Sequence, residues 1–318
     1  MMKTLTRWVA LLMLIVPGAA HAQQPIRINI GFVPGSAPDT LARLIGERMR
    51  DTLGRVVLVE NKPGAAGRIA IDATRAAAPD GGTLMLVPNG PMTLFPWVFK
   101  GLSFDPVRDF TPLSIVALAE VVLATGPATP ARTVAELRDW MRANPGQANF
   151  GSGGTGTILH FVGVAFSQAV GVPMQHIPYK GSVLAVKDVL AGQIAMAVTS
   201  TPEVTELHRA GKIRVIALTG GNRLPLFPDV PTLKESGVDV DIAAWFALYG
   251  PAGMPETLAS TYSRAVATAL GDAKVKETMA KLSLSPVGST PEELARRQAR
   301  ELKVWEAVIK ASDFKPAD

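Results

Sequence analysis

The stretch that decides the fold is ANFGSGGTGTILH, at residues 148–160. A short β-prone run ends at Phe150, a glycine-rich turn covers 151–157, and apolar residues at helical spacing continue to about Val170. A turn of this kind exposes backbone N–H groups next to the positive end of a helix, and this combination attracts anions. The segment therefore predicts a strand–loop–helix unit with an anion site at its turn.

A second unit of the same kind stands near the beginning of the chain. A β-prone run at 26–33 leads into the turn PGSAPD at 34–39, and apolar residues at helical spacing follow from Leu41. Asp39 is predicted to cap this helix. Because further apolar strands alternate with helices, we expect an α/β protein with a parallel sheet covered on both faces. Ligands of such sheets bind beyond the C-terminal strand ends, where both loops belong.

The composition excludes several classes of protein. The 318 residues are 47% hydrophobic and 19% charged, which suits a folded core and rules out wholesale disorder. The absence of cysteine removes disulfides, thiolate metal sites and cysteine nucleophiles. An aromatic content of 6% and a formal charge of +5 argue against nucleic-acid binding, which usually shows a basic face with stacking rings.

The first 22 residues have the pattern of a cleavable signal peptide. Lys3 and Arg7 precede an apolar run at 8–16, which is far too short for a membrane helix. The small-x-small pattern at 20–22 predicts cleavage after Ala22. We therefore expect an exported protein, released without a lipid anchor because there is no cysteine to acylate.

The glycine-rich turn also admits a competing interpretation. Gly151, Gly153 and Gly156 match the G-x-G-x-x-G pattern of dinucleotide-binding sites. Such a site needs an acidic residue about 20 residues further on. No Asp or Glu occurs between Thr157 and Lys187. An exported α/β enzyme or a nucleotide-binding protein that uses 151–157 stays as the alternative function.

The sequence lacks the usual catalytic and metal-binding patterns. Neither the G-x-S-x-G elbow nor H-E-x-x-H occurs. His160 is expected to pack or bond locally in its helix, His176 to lie in a strand and His208 on a polar helix face. We therefore predict no catalytic residue, no metal ion, no cofactor and no enzymatic activity.

Motifs spread over the whole chain after the signal peptide carry a family resemblance. The chain resembles the receptors of tripartite tricarboxylate transporters, also called Bug-type solute-binding proteins. The motifs that carry this resemblance are found at 25–27, 32–39, 59–67, 78–81, 104–110, 151–160, 177–181, 191–193, 228–232 and 251–253.

The resemblance implies a type II periplasmic-binding-protein fold, in which two α/β lobes joined by crossover strands close on a solute. Lobe 1 would comprise residues 23–124 and 246–318, and lobe 2 residues 125–245. Crossovers near 124–126 and 243–249 would act as hinges. A protein of this family would be a periplasmic monomer that binds a small carboxylate and serves membrane transport subunits or a sensory system.

The resemblance also implies which residues bind the carboxylate. In the family, the first βα loop of one lobe and two loops of the other hold it. In this chain the corresponding residues are Pro34, Gly35, Ser36, Ala37, Ser152, Gly153, Thr155, Thr157, Tyr179, Gly181 and Ser182. Thr199, at a strand end, is a further predicted ligand-binding residue. Many family members carry Asp at the position of Thr199, so an amino-acid ligand is disfavoured here. Arg27, Arg68 and Lys180 are cations that could face an anionic ligand.

Overall fold

The chain folds into two β-sheets flanked by helices, which confirms the α/β prediction. The computed structural model describes residues 24–312 and 314–316, so the predicted signal peptide lies outside the described residues. The strands are β1 (Ile26–Ile30), β2 (Val57–Asn61), β3 (Thr83–Pro88), β4 (Phe110–Ala119), β5 (Val121–Thr125), β6 (Asn149–Ser152), β7 (Gln175–Pro178), β8 (Met196–Ser200), β9 (Arg214–Leu218), β10 (Ala244–Pro251) and β11 (Leu284–Pro286).

The helices cover the faces of these sheets. They are α1 (Ala37–Leu53), α2 (Arg68–Arg75), α3 (Phe95–Val98), α4 (Val134–Ala143), α5 (Ile158–Val170), α6 (Ser182–Leu190), α7 (Thr205–Arg209), α8 (Glu256–Gly271), α9 (Ala273–Lys281) and α10 (Pro291–Lys310). Within the described residues, every helix is too short or too polar to cross a bilayer.

Both sheets are mixed rather than purely parallel. The first has the order β11–β4–β10–β3–β1–β2 and the second β7–β6–β8–β5–β9. The βα units pair in parallel, β1 with β2 and β3, and β6 with β7 and β8. In contrast, β10 and β5 run antiparallel to their neighbours. The expected parallel arrangement therefore holds only for the βα units, because the strands next to the crossovers run in the opposite direction.

The chain passes from the first sheet to the second at Glu120, the single residue between β4 and β5. This position precedes the predicted crossover at 124–126, because residues 121–125 pair with β8 and β9 of the second sheet. The lobe boundaries given above stay a prediction, and the pairing of β5 favours a boundary at Glu120.

The return crossover, between β9 and β10, lies directly beside the first one. The backbone N–H of Thr219 donates to the carbonyl of Val121 at 3.0 Å, and its hydroxyl donates to the carbonyl of Ile242 at 2.6 Å. Gly220 contacts the side chain of Glu120. Two adjacent, hydrogen-bonded crossovers form the kind of narrow connection about which two lobes can move.

Each sheet has its own hydrophobic core, and α10 contributes to both. Leu294, near the start of this helix, packs with Trp245 and Tyr249 of β10. Trp305 and Ile309, near its end, pack into the core of the second sheet. The C-terminal helix therefore connects the two lobes in addition to the two crossovers.

Candidate functional site

The predicted binding residues of the second lobe lie together at one edge of the second sheet. The 151–157 loop follows β6, the 179–182 loop follows β7, and Thr199 is near the end of β8. These three strands are parallel, so their C-terminal ends meet at the same edge. A Cβ atom added to Gly153 would lie 3.0 Å from the backbone nitrogen of Ser182, so the two loops touch.

The glycine-rich loop presents backbone amides at the start of α5. Gly154 and Gly156 have φ values of +93° and +77°, which L side chains rarely adopt. The Thr157 hydroxyl accepts a hydrogen bond from the His160 backbone N–H at 3.3 Å and donates one to the Gly154 carbonyl at 3.1 Å. Thr157 is thus the N-cap of α5. The N–H groups of the first two residues of α5 have no acceptor inside the helix and are available to an anion.

Two stacked histidines form hydrogen bonds with this loop. Ser152 is fully buried, and its hydroxyl oxygen lies 2.8 Å from Nε2 of His176. The His176 and His160 rings stack with 3.9 Å between their centroids, and Nδ1 of His160 accepts from the Gly156 backbone N–H at 3.2 Å. Burial lowers the pKa of both rings to about 4, so both are neutral at pH 7.

The histidine pair joins residues that the sequence places in separate elements. His160 bonds locally, as expected, but its ring also meets His176, which lies in β7 opposite Phe150 of β6. His208 is elsewhere, where its Nδ1 accepts from the backbone N–H of Val215 at 3.2 Å. Across residues 24–312 and 314–316, no three side chains are grouped in a way that could hold a metal ion.

Glu203 is a residue of this edge that no sequence motif indicates. It ends the short helical turn Thr201–Glu203 after β8, and its carboxylate accepts hydrogen bonds from Ser182, at 2.9 Å, and from Thr199. The hydroxyls of Ser182 and Thr199 are therefore engaged within the protein. Glu203 thus places a carboxylate next to Thr199 at this edge.

Tyr179 follows β7 at the same edge of the sheet, and both its side chain and its backbone form hydrogen bonds within the protein. Its hydroxyl donates to Oδ2 of Asp188 at 2.7 Å, and its ring packs against the core of the second sheet. Burial, together with the Asp188 hydrogen bond, raises the pKa of this phenol to about 12. The Tyr179 backbone N–H donates to the Ser152 carbonyl at 3.0 Å and ties the two loops together. The Tyr179 hydroxyl is therefore engaged within the protein.

In the first lobe, Asp39 shapes the 34–37 loop. This buried carboxylate accepts from the backbone N–H of Gly35 at 2.8 Å, from Arg43 and from Asn61. The Arg43 hydrogen bond is the main reason that the pKa of Asp39 falls to about 2. Ser36 holds the N-cap position of α1, so Asp39 binds the loop that precedes the helix rather than capping it.

The other predicted residues of this loop are accessible. Pro34, Gly35 and Ala37 are exposed, and the Ser36 hydroxyl donates to the Val33 carbonyl at 2.8 Å. The loop follows β1, so it lies at the C-terminal edge of the first sheet.

The three candidate cations have different surroundings. Arg27 lies near the start of β1, away from the C-terminal edge, and forms an ion pair with Glu60. Lys180 is exposed in the 179–182 loop. Arg68 begins α2 beside the first-lobe loops, and its guanidinium carbon lies 4.9 Å from the centre of the Phe99 ring.

The chain is similar to receptors of tripartite tricarboxylate transporters. Residues 41–314 match the profile of the tripartite tricarboxylate transporter family receptor. Protein BugT of Bordetella pertussis is 31% identical over 302 residues, which cover 94% of this chain and 93% of BugT.

Two solved structures from Rhodopseudomonas palustris hold ligands. A protein solved with adipate is 28% identical, with a TM-score of 0.75 over 93% of this chain and 99% of its own. MatC, solved with bound malate, is 27% identical, with a TM-score of 0.70 over 90% and 98%. A structure described as a periplasmic transporter is 34% identical over 93% of this chain, with a TM-score of 0.74. The expected two-lobed periplasmic-binding-protein fold is confirmed.

Proposed function

The chain belongs to the tripartite tricarboxylate transporter receptor family, and from this we propose that it captures a small organic acid between its two lobes. The observation that carries the proposal is the start of α5. There the N-terminus of α5, capped by Thr157, has two backbone N–H groups without an acceptor inside the helix, and the preceding glycine-rich loop touches the 179–182 loop. Backbone amides at a helix N-terminus bind carboxylates without needing a buried cation.

The residues proposed to surround the ligand carboxylate come from both lobes. The exposed hydroxyl of Thr155 and the backbone groups of Gly153, Gly181 and Ser182 would contribute from the second lobe. The first lobe would contribute the loop of Pro34, Gly35, Ser36 and Ala37. The side chains of Ser152, Thr157, Tyr179 and Thr199 would hold the loops in shape. Three or four hydrogen bonds to a carboxylate, each worth about 1.5–3 kcal/mol, suffice for micromolar affinity, which corresponds to a binding free energy of about −8 kcal/mol.

The ligands of similar proteins support a carboxylate. Adipate and malate, which occupy two of the solved relatives, are both small dicarboxylic acids. Neither identifies the ligand of this chain, because backbone donors recognise any carboxylate. The remainder of the pocket decides which acid fits.

We place the protein in the periplasm, as a monomer that passes its ligand to membrane transport subunits or to a sensory system. The family and the signal-peptide pattern at 1–22 support this assignment. The transport subunits would recognise the closed form, since closure is what distinguishes the loaded receptor from the empty one.

The second candidate function, catalysis, rests on the contact between Ser152 and His176. A serine hydroxyl 2.8 Å from a histidine nitrogen resembles a nucleophile and its base. However, Ser152 is fully buried beneath the loop, where a substrate carbonyl cannot reach its oxygen. We therefore favour a receptor without enzymatic activity.

A thermal-shift screen followed by calorimetry tests the proposal. Acetate, succinate, adipate, malate and citrate would be compared with ATP at equal ionic strength. A ligand that binds only the native state at 100 times its Kd adds about 2.7 kcal/mol to the free energy of unfolding, so the melting temperature rises. Stabilisation by ATP alone would instead favour the nucleotide-binding alternative, and stabilisation by none of the acids would contradict the carboxylate proposal.

A further inference from the structure

Arg68 is a cation whose position at the start of a helix needs an explanation. It begins α2 directly after the short helical turn Ala65–Gly67. The N-terminus of a helix carries partial positive charge, so a cation there is unfavourable unless it binds an anion. The helix dipole therefore does not favour an arginine at this position.

The backbone of Arg68 lies at the ligand-facing edge of the first sheet. Gly31 follows β1, and Gly67 comes at the end of the loop after β2. A Cβ atom added to Gly31 would lie 2.4 Å from the Cα atom of Gly67, so these two loops are in direct contact. Arg68 thus shares this edge with the 34–37 loop.

The side chain of Arg68 is held in place with its terminal nitrogens available. Its Nε donates to the carbonyl of Ala65 at 3.0 Å, and the guanidinium stacks over Phe99. Among the residues that the structure describes, no carboxylate pairs with this guanidinium. The residue is only partly buried, so the two Nη groups can still meet a solute.

Phe95 and Phe99 form an aromatic segment between Arg68 and the start of α5. The Phe99 and Phe95 rings meet edge to face with 5.0 Å between their centroids. Phe95 and Ile158 each lie 3.8 Å from the Cβ position of Gly90. Ile158 is the first residue of α5, directly after the glycine-rich loop. Arg68 of one lobe and the amide-presenting helix end of the other therefore border the same aromatic segment.

We propose that Arg68 binds the second carboxylate of a dicarboxylic acid whose first carboxylate lies at the start of α5. The planar guanidinium offers two parallel N–H donors that match the two oxygens of a carboxylate. Stacking on Phe99 orients this fork and limits its freedom before the ligand arrives. The inference rests on the proposed function and adds to it the ligand class and the residue that selects it.

The test compares acids that differ by a single carboxylate. Calorimetry would measure succinate, glutarate and adipate against butyrate, pentanoate and hexanoate, with wild type and Arg68→Gln. Wild type should bind the best diacid at least tenfold more tightly than the monoacid of equal length. Arg68→Gln should weaken that diacid ten- to a hundredfold, as expected for loss of a charge-assisted bond, and should change the monoacid less than twofold.

Two further variants separate recognition from other effects. Arg68→Lys keeps the charge but loses the fork, so its affinity for the diacid should fall between those of wild type and Arg68→Gln. Arg264→Gln removes an exposed cation on α8 whose side chain donates to Thr261, and it should leave both affinities unchanged. Melting temperatures without ligand would report any loss of folding in each variant.

The outcomes distinguish the two proposals. If wild type binds monoacids and diacids equally, or if Arg68→Gln weakens both equally, the role of Arg68 is refuted while the carboxylate receptor stands. If no acid of either series binds wild type, both proposals fail.

Discussion

At the residue scale, Thr155 and Thr157 share one loop but use their hydroxyls differently. Thr157 accepts from one backbone N–H and donates to a carbonyl, so its hydroxyl is fully engaged in capping α5. Thr155 is exposed in the same loop. Both threonines are predicted from the sequence to bind the ligand, and we propose that Thr155 provides the hydroxyl that does so, because that of Thr157 already donates to the Gly154 carbonyl.

Substituting each threonine with valine should separate binding from stability. Thr155→Val should weaken ligand affinity about ten- to a hundredfold with an unchanged melting temperature, because it removes one donor to a charged group. Thr157→Val should instead lower the free energy of unfolding by about 1 kcal/mol, because it removes an N-cap. Calorimetry and urea unfolding measure both effects. Thr268→Val, at an exposed site on α8, is the control, and equal affinity of Thr155→Val and wild type would contradict the prediction.

The stacked histidines predict a loss of stability in mild acid. The pKa of both rings is lowered to about 4 by burial, whereas an unfolded chain binds protons near 6.5. The unfolded state therefore takes up more protons, and the free energy of unfolding falls as the pH drops from about 6.5 towards 4. The carboxyl group of Asp39, whose pKa is about 2, lowers the free energy of unfolding only at still lower pH.

Replacing both rings tests this pH dependence. His160→Asn keeps an acceptor for the Gly156 N–H, and His176→Gln keeps a polar partner for Ser152. The midpoint of urea unfolding should change less between pH 7 and 4.5 in the double variant than in wild type. A slope equal to that of wild type would mean that other groups cause the acid sensitivity.

At the element scale, the β4–β5 connection carries a buried acid. Glu120 is 5% exposed, and its Oε2 has no hydrogen-bond partner among the described residues. Its pKa is raised to about 7, mainly by burial; the charge of Arg297 lowers it, and the nearby Asp241 makes a smaller contribution that raises it. Because the folded state keeps this proton to higher pH, the contribution of Glu120 to stability is greatest below about pH 4.5 and is lost as the pH rises to about 7.

Glu120→Gln should therefore stabilise the protein selectively at high pH. The ionised carboxylate costs up to about 3 kcal/mol above pH 7, which the neutral amide avoids. We expect the variant to exceed wild type in free energy of unfolding at pH 8 and to match it near pH 5. Glu47→Gln, on the exposed surface of α1, controls for the change in net charge. A gain that is equal at both pH values would refute the raised pKa as the cause.

At the scale of the whole molecule, three connections limit how the lobes can move. Two are the hydrogen-bonded crossovers, and the third is α10, whose two halves pack in different cores. We therefore expect closure to bend the crossovers at 120 and 219–243 while α10 adjusts its packing. We expect a motion of small amplitude, which brings the 34–37 loop towards the glycine-rich loop.

X-ray scattering tests this motion. A saturating acid identified by the screen should lower the radius of gyration, because the closed state binds the ligand through both lobes. Chloride at the same ionic strength is the control. An identical radius of gyration with and without the acid would contradict closure.

Features that depend on near neighbours in the chain could be predicted before the structure was known. Glycines at φ-positive turns, the threonine before α5 and the alternation of strands and helices follow from the local chemistry of a few adjacent residues, so the loops and the α/β class were predictable. Tertiary structure alone decided which distant side chains meet. The stacking of His160 on His176, the bonds from Ser182 and Thr199 to Glu203, and the pairing of β5 with the second sheet all depend on strand register. Register is fixed by the packing of whole lobes, which no short segment of the chain encodes.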